Sequence, residues 1–241
     1  MARDSEQGDT VSVPRLLAQC LLICSVFYLW TSPVIQPIKI MVVLFHEMSH
    51  GLMALLSGGQ VLRIIITADE GGACETQGGM ALLIVSAGYL GSMFFGGLIL
   101  YLSRFRGCVP VIFTFLTLVV ASAIVTVLHD PYSRTFATAL AGSFVFLGLL
   151  SPAVLGALVL KILGTVSCLY SIFDIYWDIL ARGSAEAPAE NDAVAFSQLT
   201  GFPATSVGFL WLVASALYFA FVLRIMIREA PGEARTAPAG A

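Results

Sequence analysis

The sequence predicts an all-α polytopic membrane protein, a bundle of six or seven transmembrane helices with a short β-hairpin or strand segment after the helix that carries candidate metal ligands. Of the 241 residues, 58 % are hydrophobic and only 11 % are charged, and the mean hydropathy is +0.92. A soluble domain of this length needs far more charged surface, and apolar runs of about 20 residues recur along the chain. We therefore expect an integral, multi-pass protein surrounded by a lipid bilayer.

The chain divides into one membrane domain and two tails. Residues 1–13 are polar and form the expected N-terminal tail, whereas 14–228 hold the apolar runs and form a single transmembrane domain. Residues 229–241 are rich in Pro, Ala and Gly and are expected to be disordered. The first apolar run, Leu16 to Ser32, has no convincing small-residue cleavage site, so we expect it to remain as the first span.

The second span carries the chemistry. Ile40 to Ser57 reads IMVVLFHEMSHGLMALLS, in which His46 and His50 are four residues apart. This spacing puts both imidazoles on one helix face, where they can reach a single metal ion. Glu47 can contact a water on the open metal position and act as its general base. A carboxylate at the centre of a membrane helix costs about 2.5–3.5 kcal/mol, so an unused Glu47 would be an expensive feature.

A short β segment follows this helix. Residues 58–79 begin and end with Gly-Gly and contain a β-branched run before a Gly-rich, acidic stretch, which indicates a strand or hairpin too short to cross the membrane. Such backbone is tolerated at membrane depth only where protein or a wet cavity surrounds it, so we expect it to border the site. An exposed strand edge could add an extended peptide as a further strand. The expected substrate-binding residues are Val61, Ile64, Ile65 and Ile66; an ordinary surface hairpin is the alternative.

The remaining apolar runs complete the bundle. They are Met80 to Ser103, Val109 to Leu128, Phe136 to Leu150, Pro152 to Phe173 and Ser206 to Ile227. The first of these contains SAGYLGSMFFGG, whose small residues allow close helix packing in lipid. The short run that ends at Leu150 is joined to the next by little besides Ser-Pro, which indicates a tight reversal or a broken helix. If the short run is re-entrant, the bundle has six spans rather than seven.

Five motifs in this order resemble a known family. FHEMSHG, the following LLSGGQV, SAGYLGS, LYSIFDI and NDA together resemble the compact, PDZ-less branch of the site-2-protease family of intramembrane zinc metallopeptidases. The resemblance extends from about Pro33 to Arg228. It implies a zinc-dependent endopeptidase that cuts membrane-associated protein or peptide substrates inside or near the bilayer. It also implies that His46, His50 and a later aspartate bind Zn²⁺ and that Glu47 is the catalytic base.

The third zinc ligand is the open part of this hypothesis. A catalytic zinc needs three protein ligands, but the chain lacks the Asn-Pro-Asp-Gly-like motif that supplies the aspartate in better-studied family members. We favour Asp174, with Asp178 as the alternative, because acids deep in apolar sequence most need a partner. The other candidates are Asp130, the loop residue Asp192 and His129.

Two other classes of function stay open. A catalytically inactive relative could act as a membrane binding or regulatory protein, and the missing aspartate motif supports this alternative. Broken helices and intramembrane acids would also suit a transporter or metal carrier. A net charge of −3 without a basic run argues against a nucleic-acid partner. Lys and Arg residues divide five against six between the two sides, so the pattern leaves the orientation open, as the sequence leaves the oligomeric state.

Overall fold

The computed structural model describes residues 11–181 and 191–228, and this part of the chain forms eight helices and two strands. The predicted tails and the first half of the connection before the last span lie largely outside these residues. The elements in chain order are α1 (Val13–Leu29), α2 (Gln36–Leu56), β1 (Gln60–Ile66), β2 (Gly72–Gln77), α3 (Ala81–Leu102), α4 (Cys108–Thr126), α5 (Pro131–Val145), α6 (Ala153–Asp174), α7 (Asp192–Thr200) and α8 (Ala204–Ile227).

Six helical segments are long and apolar enough to cross a membrane. They are α2, α3, α4, α8, the segment Pro131–Leu150 that begins with α5, and the segment Ala153–Trp177 that begins with α6. The helix α1 is apolar but has only 17 residues. Large apolar side chains such as Val125 and Leu118 are exposed on the outside of the bundle, where lipid would cover them. The predicted bundle of six or seven spans in an integral multi-pass protein is therefore confirmed.

The helix α2 lies at the centre of the bundle. It begins with Pro37 in its first turn, where a missing N–H costs nothing, and packs against α3, α6 and both strands. Its end is fixed by Gly58, whose φ of 86° only glycine adopts readily, and by the N–H of Gly59, which donates to the Ala54 carbonyl. The buried face of α2 therefore presents its polar residues to the interior of the protein.

The predicted hairpin is present. β1 and β2 pair antiparallel from Gln60↔Gln77 to Ile66↔Gly72, with an irregularity between Val61 and Arg63. The turn is held to the start of α2 by two contacts: Gln36 Nε2 donates to the Ala68 carbonyl at 2.8 Å, and Lys39 Nζ lies 2.6 Å from Glu70 Oε1. Glu70 has a φ of 68°, which few non-glycine residues adopt. The hairpin is thus fastened over α2 at its turn as well as at its base.

Small residues bring α3 and α6 together, as the sequence predicts for α3. A Cβ at Gly164 would lie 2.6 Å from the Gly96 carbonyl oxygen, and a Cβ at Gly96 would lie 2.6 Å from Ser167 Cβ. The two backbones therefore approach more closely than any larger residue would allow. This packing sets the position of α3 beside α2.

Two helices end in a π-helical turn, and α7 is a short helix between spans. α5 continues through Phe146–Leu150 and α6 through Ile175–Ala181. Separate helices thus lie on either side of Ser151-Pro152, as expected.

Candidate metal centre

Three ligand atoms from two helices meet at one point. His46 Nε2 and His50 Nε2, one turn apart on α2, lie 3.1 Å and 3.3 Å from Asp192 Oδ2 at the first residue of α7. The ligand atoms of these three residues all lie within 4.8 Å of one another, and we call them the ligand group. Two imidazole nitrogens and a carboxylate oxygen are a donor set that suits a catalytic zinc and leaves a fourth position open.

Asp192 is held in place by the cap of its helix. The Asn191 side chain accepts a hydrogen bond from the Ala193 N–H at 2.9 Å and so starts α7. Ala193 is fully buried, which fixes the first turn against the bundle. Burial acts to raise the pKa of Asp192, but when His50 is protonated its charge, together with hydrogen bonds with His50 and His46, outweighs burial and lowers this pKa to about 2.

The orientation of the histidines depends on α3. His50 Nδ1 donates to the Ile84 carbonyl at 2.6 Å, which turns Nε2 towards Asp192. A histidine ligand is commonly oriented by such a bond from its other ring nitrogen. Gly88 lies directly against the pair, because a Cβ at this position would overlap Nε2 of both His46 and His50. The packing of α3 on α2 therefore requires glycine at position 88.

Glu47 lies beside the ligand group in the same cavity. Its side chain is buried, and β2 begins directly above it: a Cβ at Gly72 would lie 2.5 Å from Glu47 Oε1 and 2.7 Å from Val43 Cγ1. The cavity has a volume of about 460 Å³ and is lined by α2, α3, the hairpin, the end of α6 and the start of α7. A buried carboxylate next to the ligand group can take up and release a proton at a reacting water.

The structure places Asp174 in a different contact from the one expected. Asp174 lines the cavity, and its Oδ2 accepts a hydrogen bond of 2.8 Å from the Tyr89 hydroxyl, whereas Asp192 is the carboxylate that lies beside the two histidines. The α-helix ends at Asp174 and continues as a π-helix, so Asp178 does not follow one α-turn later as its spacing suggests. The side chain of Asp178 lies outside the described residues.

Of the remaining candidates, His129 is exposed and Asp130 has a structural contact. Asp130 caps α5 by accepting a hydrogen bond from the Ser133 N–H at 2.8 Å. Asp192 is one of the candidates from the sequence, in which Asn191-Asp192-Ala193 both resembles a family motif and forms a polar helix start between apolar segments. That pattern indicates the cap but does not say where the helix docks.

The hairpin borders the cavity along β2, whereas the residues expected to bind substrate lie on β1. On β1, the Ile64 N–H donates to the Val127 carbonyl and the Ile66 N–H to Ser133 Oγ, and both side chains are buried in the core. Ile64 directs its N–H away from β2, so its antiparallel partner Cys74 directs its N–H away from β1. The direction of the N–H groups alternates along a strand, so the N–H of Gly72, two residues before Cys74, also points away from β1. Among the described residues no further strand pairs with this edge of β2, which lines the cavity.

Cys74 is a cavity residue but not a candidate ligand. Burial and the negative charges of Glu47 and Asp192 raise the pKa of its thiol to about 12. Its Sγ is not among the ligand atoms that lie within 4.8 Å of one another. The ligand group therefore consists of His46, His50 and Asp192.

A multi-pass bundle that gathers two imidazoles and carboxylates around one cavity is the architecture expected of a membrane-embedded metalloenzyme. The sequence profile of the Peptidase M50B-like family matches residues 19–222, and the chain therefore belongs to this family, which is the site-2-protease family. Membership supports an intramembrane metallopeptidase-type function, and the family is in general zinc-dependent. No curated protein and no solved structure matches the chain.

Proposed function

We propose that the protein is a zinc-dependent intramembrane endopeptidase that cleaves membrane-associated protein substrates, with His46, His50 and Asp192 as zinc ligands and Glu47 as general base. One observation carries the proposal: the three ligand atoms lie within 4.8 Å of one another, in the same cavity as the buried Glu47. We assign the third ligand to Asp192 rather than to the expected Asp174, because Asp192 Oδ2 lies 3.1 Å from His46 Nε2 and 3.3 Å from His50 Nε2.

The chain's own residues divide the chemistry between them. Zinc, when bound, would lower the pKa of a water and polarise the peptide carbonyl. Glu47 would accept the proton of that water at a carboxylate oxygen and pass it to the leaving amine. The Ile84 carbonyl keeps the proton of His50 on Nδ1, so the lone pair of Nε2 would be available to bind the zinc.

The substrate would bind in extended form. Peptide carbonyls within a helix are already hydrogen-bonded, so a membrane helix has to unwind locally before cleavage. We place the unwound segment along the outer edge of β2 at Gly72 and Cys74, where unused backbone groups face the cavity. Of the residues expected to bind substrate, Ile64 and Ile66 are buried in the core, and Val61 and Ile65 are partly exposed.

Glu47→Gln tests the catalytic role. The variant should keep one zinc per chain but lose cleavage by roughly 10²–10⁴-fold, the usual contribution of a general base. Cleavage can be followed by co-expression with a panel of epitope-tagged single-span proteins and zinc by elemental analysis of purified protein. Glu75→Gln on the exposed face of the hairpin is the matched control and should cleave normally. Wild-type cleavage by Glu47→Gln with zinc bound would refute the mechanism.

Cys74→Trp tests the substrate edge. The larger side chain would fill the cavity along β2 and should reduce cleavage at least about tenfold, with zinc content unchanged, because it blocks the substrate rather than the ligands. Gln77→Trp, an exposed position on the same strand that does not line the cavity, should leave cleavage near the wild-type rate. Equal effects of the two variants would argue against binding along this edge.

A further inference from the structure

The two histidines of the ligand group are oriented by different contacts with α3. His50 is fixed by its hydrogen bond with the Ile84 carbonyl. The imidazole of His46 packs against the ring of Tyr89, with the ring centroids 4.8 Å apart and the ring planes at 82° to each other. Aromatic rings prefer such an edge-to-face arrangement, so this contact favours one orientation of the imidazole. Tyr89 therefore restricts the rotation of His46 as Ile84 restricts that of His50.

The side chain of Tyr89 is itself held at both its ring and its hydroxyl. The hydroxyl donates to Asp174 Oδ2 at 2.8 Å, and the ring centroid lies 5.8 Å from that of Trp211 on α8. Only 4 % of Tyr89 is exposed. A buried side chain whose ring is packed and whose hydroxyl is bonded has little freedom to change its rotamer. The hydrogen bond with Asp174 thus helps to fix the ring against which His46 packs.

The helix α6 changes its winding at the residue that holds Tyr89. The α-helix ends at Asp174, and the π-helical turn Ile175–Ala181 begins with the next residue. Ile175 is fully buried and belongs to the same apolar cluster as Tyr89. Short π-helical turns are rare and occur frequently at functional sites. The change in winding therefore coincides with the contact between α6 and Tyr89.

The same cluster reaches the second helix of the ligand group. It contains Ala193, the residue after Asp192 at the start of α7. Tyr89 thus contacts the imidazole of His46 on α2 and shares a buried cluster with the helix that carries the carboxylate ligand. One side chain of α3 is in this way connected with both helices that supply ligands.

We propose that Asp174 and Tyr89 are positioning residues for the metal centre. Asp174 holds the Tyr89 hydroxyl, and the Tyr89 ring keeps the imidazole of His46 in the orientation that places Nε2 3.1 Å from Asp192 Oδ2. Both residues act through His46 and neither is itself a ligand. The inference rests on the proposed function, because it takes His46 as a zinc ligand. A residue that orients a ligand raises metal affinity without adding a donor atom.

The experiment measures the zinc dissociation constant of the purified full-length protein in detergent, by competition with a chelator. Tyr89→Phe and Asp174→Ala each remove one side of the hydrogen bond. Each should weaken zinc binding about tenfold, the lower end of the range for a residue that supports a ligand, with one zinc still bound at saturation. Because both changes remove the same bond, the double variant should also lose about tenfold rather than about a hundredfold. Asp174→Asn keeps an acceptor oxygen and should bind zinc within about twofold of the wild type.

Tyr218→Phe is the matched control. The Tyr218 hydroxyl donates to the Phe94 carbonyl at 3.0 Å and so joins α8 to α3, but neither residue lines the cavity. The control removes the same atom from another tyrosine in contact with α3 and should leave zinc affinity unchanged. Melting temperatures with and without zinc separate positioning from a merely structural role. Tyr89→Phe should reduce the rise in melting temperature that zinc produces, whereas a loss of packing alone would leave this rise intact.

The outcomes distinguish this inference from the proposed function. Wild-type zinc affinity in Tyr89→Phe, or additive losses in the double variant, would overturn the positioning role alone. A wild-type protein that binds no zinc, or that binds it equally tightly after His46→Ala, would overturn the metal centre and the positioning role together.

Discussion

The α3–α6 interface and the cavity are both buried and polar, but they use polarity differently. At the interface, Ser167 Oγ donates to the Ser92 carbonyl at 2.8 Å, and the hydroxyls of Ser92 and Ser171 are 3.0 Å apart. Each of these polar groups is satisfied by its neighbour, and no space is left between the helices. In the cavity, His46, Glu47 and Asp192 surround an open volume instead.

The difference shows which polar residues in a membrane helix indicate a site. A polar group within an apolar run is expensive and needs a partner, but one hydrogen bond from another helix is enough to supply it. Asp174 meets this need through Tyr89, as Ser167 does through Ser92. A candidate reaction centre is indicated by several such groups that surround one open volume. The depth of a single acid within an apolar run does not reveal whether other polar groups lie beside it.

The largest expected effect separates the two aspartates that line the cavity. Asp192→Ala should abolish zinc retention, with a loss of affinity beyond the 10–100-fold typical of an outer-shell partner, because it removes a direct ligand. Asp174→Ala should retain one zinc per chain. Elemental analysis of both purified variants makes the comparison, and loss of zinc from Asp174→Ala with retention in Asp192→Ala would reverse the assignment.

The second-largest expected effect concerns the α3–α6 interface. Gly164→Ala places a Cβ 2.6 Å from the Gly96 carbonyl, and a closely packed backbone can accommodate it only by moving. We expect a destabilisation of about 1–3 kcal/mol, measured as a lower melting temperature in detergent. Gly142→Ala on α5 is the matched control, since a Cβ there meets nothing within 4 Å, and it should be neutral or slightly stabilising. Similar melting temperatures for both variants would show that the helices are not closely packed at position 164.

The smallest effect compares the two ion pairs of the hairpin. The Lys39–Glu70 pair holds the turn over the cavity with side chains only 12 % and 24 % exposed, whereas the Arg63–Glu75 pair on the outer face is about half exposed. Lys39→Ala should loosen the hairpin by about 1 kcal/mol and speed hydrogen exchange of its backbone amides severalfold. Arg63→Ala should leave exchange unchanged because exposed pairs contribute little. Equal exchange in both variants would mean that the turn is held by other contacts.

Much of the fold follows from local sequence. Apolar runs of membrane length, Gly-Gly pairs around a β-branched segment and the histidine spacing on α2 are all readable within a few turns of chain, and the structure contains the spans and hairpin they predict. The third ligand is different, because Asp192 reaches α2 only through the docking of α7, and Asp174 finds Tyr89 across 85 residues. The covered edge of β1 likewise depends on the α4–α5 connection at Val127.

One consequence follows from the division of the ligand group between α2 and α7. An ion held there would join the central helix to a nine-residue helix that does not cross the membrane, so its binding free energy would add to the packing that docks α7. Metal supply and resistance to degradation are then thermodynamically linked. A cell short of the ion would hold fewer intact copies as well as fewer active ones.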